Sequence, residues 1–141
     1  MCLIDNRKFR ISLREKVCYK ILICVQEDEN NILCVTPRQR TSVILKKNKT
    51  NVLAANDKRN PLKSWLGDYE YSGGFIHAYT DVRKAQWIAY SNNLHEACCN
   101  PKEPLVYKVF KCIIPRFTRY GYNKENQNIC ARKMIVKERI Y

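Results

Sequence analysis

Two runs of residues limit the fold of this chain more than anything else in it. Residues 17–25 (Val17 to Val25) and residues 105–114 (Leu105 to Ile114) are dense in β-branched and aromatic side chains, the composition of strands. Both stop sharply: polar residues 26–31 follow the first, and Pro115 ends the second. Each is long enough to cross a sheet, and the second is predicted to lie at its centre. Against them stands one segment of helical period. Thr80 or Asp81 offers an N-cap oxygen, and Val82, Ala85, Ile88 and Ala89 follow at helical spacing. The pattern predicts an α+β fold, a mostly antiparallel β-sheet with one main helix over about 81–94.

Shorter signals fill in the rest. Ile32 to Val35 pairs back on the first run, so a hairpin is expected over 17–36. Residues 42–46 and 51–54 flank Lys47-Asn48-Lys49-Thr50 and read as a second hairpin with a basic tip. Residues 55–74, with Pro61, Gly67, Gly73 and Gly74, read as an irregular connection, with Trp65, Leu66 and Tyr69 tucked against the core. Phe75 to Tyr79 is a short strand after the Gly73-Gly74 turn, and Phe117 to Tyr122 an extended piece. Residues 129–140 close the chain as one β segment with Ala131, Lys133, Ile135 and Lys137 on one face. Residues 1–16 are polar and basic and are expected as a loose arm. Residues 17–141 then form a single α+β domain, a usual size for one core.

Charge narrows the partners. Lys and Arg total 26 against 13 Asp and Glu, a net charge of +13. The excess is uneven: residues 38–63 hold eight basic side chains and one acid, Asp57, while 21–37 hold only the acids Glu27, Asp28 and Glu29. An anionic ligand, a nucleic acid or an acidic protein surface is the expected partner. The plain alternative is charge spread over solvated faces. Apolar runs are too short to span a membrane, and the first eight residues break into charge too early for a secretory signal, so an intracellular, cytoplasmic setting is expected.

Eight cysteines occur: Cys2, Cys18, Cys24, Cys34, Cys98, Cys99, Cys112 and Cys130. Several sit inside apolar runs, as reduced, buried small hydrophobes do. No Cys-x₂-Cys pair is present, and His95, Cys98 and Cys99 supply at most three donors from one segment, so no metal site is expected. Cys18 and Cys24 would lie roughly 20 Å apart on one strand. Cys2 would be an N-terminal thiol after removal of Met1, but a basic arm and no Gly-rich loop follow it. Four glycines cannot build a phosphate-binding glycine loop.

His77, on a strand just before a helix start, is positioned to meet an anion, although a core histidine is the commoner case. Tyr107, Lys108, Phe110, Lys111, Arg116, Phe117, Arg119, Tyr120 and Tyr122 interleave bases and rings, as nucleic-acid surfaces do; a sheet with rings inward and charges outward is the alternative. The anion-binding candidates are Lys20, His77, Lys108, Lys111, Arg116 and Arg119.

Met1-Cys2-Leu3, Val17-Cys18-Tyr19-Lys20, Gly74-Phe75-Ile76-His77, Ala85 in a helix and Lys111-Cys112-Ile113-Ile114-Pro115 together resemble small proteins of gut bacteria and their phages. That resemblance implies a setting, a host-directed inhibitor or a trap for a signalling nucleotide, rather than a chemistry. The order of Tyr19-Lys20, Gly74 to His77 and the late strand at Pro115 is also similar to the ADP-ribosyltransferase-like fold. This second resemblance implies a split sheet with NAD in its cleft, and Tyr19, His77 and Glu138 as site residues. Tyr19-Lys20 stands where that family has an arginine or histidine, and its Glu-x-Glu loop is missing.

A non-enzymatic binding protein needing no cofactor is therefore the leading expectation. An NAD-using transferase and a structural or assembly protein follow it.

Overall fold

Strands occupy most of the described chain, as the β-branched runs require. The computed structural model describes residues 3–5, 9–37, 42–55, 62–63, 69–71 and 75–141. In chain order the strands are β1 (Leu3–Asp5), β2 (Arg10–Ile11), β3 (Lys16–Glu27), β4 (Asn31–Val35), β5 (Ser42–Lys46), β6 (Asn51–Ala54), β7 (Leu62–Lys63), β8 (Tyr69–Tyr71) and β9 (Ile76–Tyr79). Helix α1 (Val82–Cys99) follows, then β10 (Val106–Ile114), β11 (Arg119–Asn123), β12 (Asn128–Ala131) and β13 (Lys133–Arg139). Every strand pair is antiparallel. The fold is α+β, with one helix among the described residues.

The main sheet runs β2-β11-β12-β9-β3-β10-β13-β6, and β4 and β5 branch from β3. β3 and β10 pair over their full overlap, Lys16 with Ile114 through Cys24 with Val106. The other edge of β3 is divided: Tyr19 meets Tyr79 of β9, and from Ile23 onward the strand pairs with β4. The 17–36 hairpin is present, closed by Asp28, whose Oδ1 accepts from the Asn30 and Asn31 N–H groups at 2.8 and 2.7 Å.

Connection lengths force this sheet to curl. β2 and β3 are joined by four residues, 12–15, and β10 and β11 by four, 115–118, yet each pair is four strand steps apart in the sheet. Four steps in a flat sheet measure about 19 Å, and such a link reaches at most about 17 Å. Curling brings the two links together, and Ser12 records it. Its Oγ donates to the Pro115 carbonyl at 2.6 Å and accepts from the Thr118 N–H at 2.9 Å.

One sheet face buries Cys18, Leu22, Phe110, Cys112, Ile114, Met134 and Val136 with residues of β4, β5, β6, β9 and β12. Full burial of Leu22, Ile114 or Met134 is worth about 1.5–3 kcal/mol each against exposure. The other face meets α1, where Ala85 and Ala89 let the helix approach Ile21 and Val109, with Tyr19, Tyr79 and Tyr107 around them. Asp81 caps the helix by accepting from the Arg83 N–H at 3.0 Å. The helix continues past the expected 94 to Cys99. No breaker precedes Asn100-Pro101, and the Asn100 N–H closes the last turn on Glu96 O at 2.8 Å.

Four expectations need correction. Residues 42–54 are not a hairpin: β5 pairs with β4, and β6 pairs with β13. The turn between them is closed by a side chain instead, Asn51 Oδ1 accepting from Lys46 N–H at 2.8 Å, which leaves both strands free to take other partners. Residues 129–140 are two strands rather than one. At Arg132 the chain steps between ladders, so Ala131 and Met134 are both buried while Lys133 is exposed. Within the supposed loose arm, Arg10–Ile11 pairs with β11, Ser12 is buried, and Leu3–Asp5 pairs with Tyr69–Tyr71. Within the supposed irregular connection, β7 and β8 pair and complete a small sheet with β1. Cys2, Trp65, Leu66 and the Gly73-Gly74 turn lie outside the described residues, and Tyr69 is described only as part of β8.

Candidate anion-binding interface

The corner formed by the two four-residue links concentrates cations and rings. Arg10, Ile11, Leu13, Arg14, Lys16 and Tyr120 line an open groove of about 280 Å³. The pattern behind it is simple. Ser12 is the inward residue of its segment, fixed to 115–118, so its neighbours Ile11 and Leu13 are turned out to solvent. Arg10 stands opposite Tyr120 in the β2–β11 ladder, and the Lys16 ammonium sits 4.9 Å from the Tyr120 ring centroid. Beside the groove, the Phe117 N–H donates to Ser12 O at 2.6 Å. Phe117 is 69% exposed, at the left-handed φ of 61°, with the Arg116 guanidinium 5.0 Å from its ring.

The opposite face of the same edge repeats the chemistry. Phe9 and Phe75 stack with centroids 4.7 Å apart. Arg119 lies 5.3 Å from the Phe9 ring and 5.9 Å from the Phe75 ring, and Arg132 lies 5.5 Å from Phe75. Guanidinium–ring contacts of this kind are worth about 0.5–1 kcal/mol when exposed and hold the charge in place without neutralising it.

Neutralisation separates this corner from the cations around Glu27. Among the described residues, no carboxylate forms an ion pair with Arg10, Arg14, Lys16, Arg116 or Arg119. At the far end of β3, by contrast, Glu27 gathers Lys47 at 2.9 Å, Arg139 at 3.6 Å and Lys108 at 3.7 Å. The hydrogen bond from Lys47, then the charges of all three cations, hold the Glu27 carboxyl below its usual range.

The six sequence candidates therefore part company. Arg116 and Arg119 reach the corner. Lys108 belongs to the Glu27 cluster, and Lys111 lies 4.0 Å from Glu138. Lys20 is not a surface residue: β3 alternation points it inward with Cys18 and Leu22, and its ammonium donates to His77 O at 2.6 Å. Burial pushes its pKa down to about 8, against a weaker opposing pull from Cys112 and Cys18. His77 is half-buried in β9 opposite Cys130. The helix N-terminus beyond it already carries the Asp81 carboxylate, which disfavours an anion there.

For the transferase candidates, register puts Tyr19, Lys111 and Glu138 in one row across β3, β10 and β13. His77 is two strands away from Lys111, on the far side of β3. Arg10, Arg14, Lys16 and the Phe9–Phe75 stack were not among the candidates. The available signal was the alternation of Phe9, Ile11 and Leu13 with polar residues, which marks an ordered strand edge rather than a loose arm. No family model, curated protein or solved structure matches the chain.

Proposed function

We propose that the protein is a non-enzymatic binder of single-stranded nucleic acid, holding the phosphate backbone along the groove of Arg10, Arg14 and Lys16 and stacking bases on Phe117. One observation carries this reading: four cations without carboxylate partners among the described residues, Arg10, Arg14, Lys16 and Arg116, share one corner with the rings of Phe117 and Tyr120, while the cations around Glu27 are already engaged. Phosphates would supply the missing countercharge, and a base would cover an exposed ring. Support for single strands over duplex comes from the elements available. The corner is built of a strand edge and two links, and α1, the sole helix among the described residues, has no basic residue in its last turn and packs on the sheet.

The experiment is fluorescence anisotropy with a labelled oligonucleotide of about a dozen nucleotides, titrated at several salt concentrations. Four engaged cations predict a log–log slope near −3 on single strands. Tighter binding to duplex of equal length, or a slope unchanged by Arg10→Ala and Arg14→Ala together, overturns the reading.

A further inference from the structure

Strands β3 and β4 place two cysteines directly opposite each other, away from the basic corner. Cys24 and Cys34 are register partners, with Sγ atoms 3.5 Å apart. Paired antiparallel residues have Cα atoms about 4.5–5.5 Å apart, inside the range that disulfides span. A register shift between Cys24 and Gln26 gives β3 local slack. We propose that Cys24 and Cys34 form a thiol–disulfide exchange site that accepts low-molecular-weight disulfides and closes a cross-strand bond between β3 and β4.

The two sulfurs are unequal in the way such a site needs. Cys24 is half-exposed, and Cys34 is buried. Hydrogen bonding from the Cys34 thiol, with Lys108 and Arg139 nearby, pulls the Cys24 thiol down to about 7 against burial and the Glu27 charge. Donating that bond, together with burial, pushes Cys34 upward. The Cys24 thiolate attacks one sulfur of the small disulfide, whose S–S bond breaks, and the first thiolate leaves and takes up a proton. Cys34 then loses its proton and attacks the Cys24 sulfur of the mixed disulfide, releasing the second small thiol. Two thiols and one disulfide become one protein disulfide and two small thiols, and two electrons pass to the small molecule.

A second cysteine pair supplies the contrast. Cys18 and Cys112 are also register partners, but both are fully buried. Burial raises both thiols, Cys112 to about 12. They should stay reduced while Cys24 and Cys34 react.

The test treats the reduced full chain with oxidised glutathione and maps the cysteines by peptide mass spectrometry. The expected product is a Cys24–Cys34 disulfide, lighter by two hydrogens, with Cys18 and Cys112 still thiols. Cys34→Ser should trap glutathione on Cys24, and Cys24→Ser should leave Cys34 unmodified. A second measurement needs no variant: a brief iodoacetamide pulse at pH 7 on the native chain should label Cys24 about fivefold faster than the exposed Cys98 and Cys99. Equal or slower labelling of Cys24, or glutathione on Cys98 and Cys99 with Cys24 and Cys34 left reduced, overturns the proposal.

Discussion

Ser12 and Thr118 hold each other through two hydrogen bonds of 2.9 Å, the Ser12 N–H donating to Thr118 O and the Thr118 N–H donating to Ser12 Oγ. Both residues are buried. This is the clasp that keeps the 12–15 link against 115–118, and every cation of the groove hangs from one link or from the strands beside them. Ser12→Ala leaves the Thr118 N–H without its acceptor and the Pro115 carbonyl without its donor. A stability loss of about 1–3 kcal/mol is expected, read by thermal melting. Oligonucleotide affinity should fall as well, although Ser12 faces away from solvent. Full affinity in a destabilised Ser12→Ala protein would detach the clasp from binding.

Phe117 makes the opposite kind of test. A bulky residue at a φ of 61° costs roughly 1–2 kcal/mol against one that tolerates the left-handed region. Its ring is mostly in solvent, so little packing offsets that cost. Phe117→Gly should therefore leave the melting temperature unchanged or raise it, while weakening oligonucleotide binding by the stacking of one base, about 1–3 kcal/mol. Thermal melting and anisotropy on one preparation separate the two effects, and a variant that binds as tightly as the parent removes Phe117 from the interface.

Cations at the corner and cations at the Glu27 cluster should differ in their salt response. Replacing Arg10, Arg14 or Arg116 singly by Ala removes one phosphate contact and should lower the salt slope by about 0.7 on single strands. Lys108→Ala and Lys111→Ala should leave the slope unchanged, because each side chain already faces a carboxylate. Equal losses at all five positions would mean that binding follows net charge rather than the corner.

What the sequence shows here follows how local each signal is. β3, β10 and the 17–36 hairpin are legible because their side-chain pattern and the Asp28 turn lie within the elements themselves. The partners of β5 and β6 are not legible. The Lys47–Thr50 turn fixes a reversal, but β5 pairs back on the preceding β4, and β6 is claimed by β13, some eighty residues further along the chain. Arg116 and Arg119 stand out as charges among rings, whereas Arg10 joins them through the β2–β11 pairing, and Arg14 and Lys16 because the sheet curls. Lys20 is the instructive miss. A period of two applied to β3 puts it on the side of Cys18 and Leu22, and its charge alone argued for the surface.

Lys20 also predicts how stability should vary in alkali. Its pKa is about 8 folded and near the ordinary 10.5 unfolded, because burial penalises the ammonium. Between these values the unfolded chain binds the extra proton, so the Lys20 contribution to stability grows as pH rises from 8 toward 10.5, and is lost as pH falls through 8. The slope is up to about 1.4 kcal/mol per pH unit. Cys24 acts in the same sense, with its folded value of about 7 below the ordinary 9.0. Cys18, Cys34 and Cys112 act in the opposite sense: all three are raised when folded, so their contribution is complete below 9 and declines as pH rises above it. The parent protein should accordingly gain stability from pH 7 to 9 and then flatten or decline. Lys20→Met removes one component only. The stability difference between parent and Lys20→Met, measured by urea unfolding at pH 7, 8, 9 and 10, should move steadily in favour of the parent above pH 8. A difference that stays constant across that window would mean that Lys20 keeps an ordinary pKa inside the fold and that water reaches its ammonium.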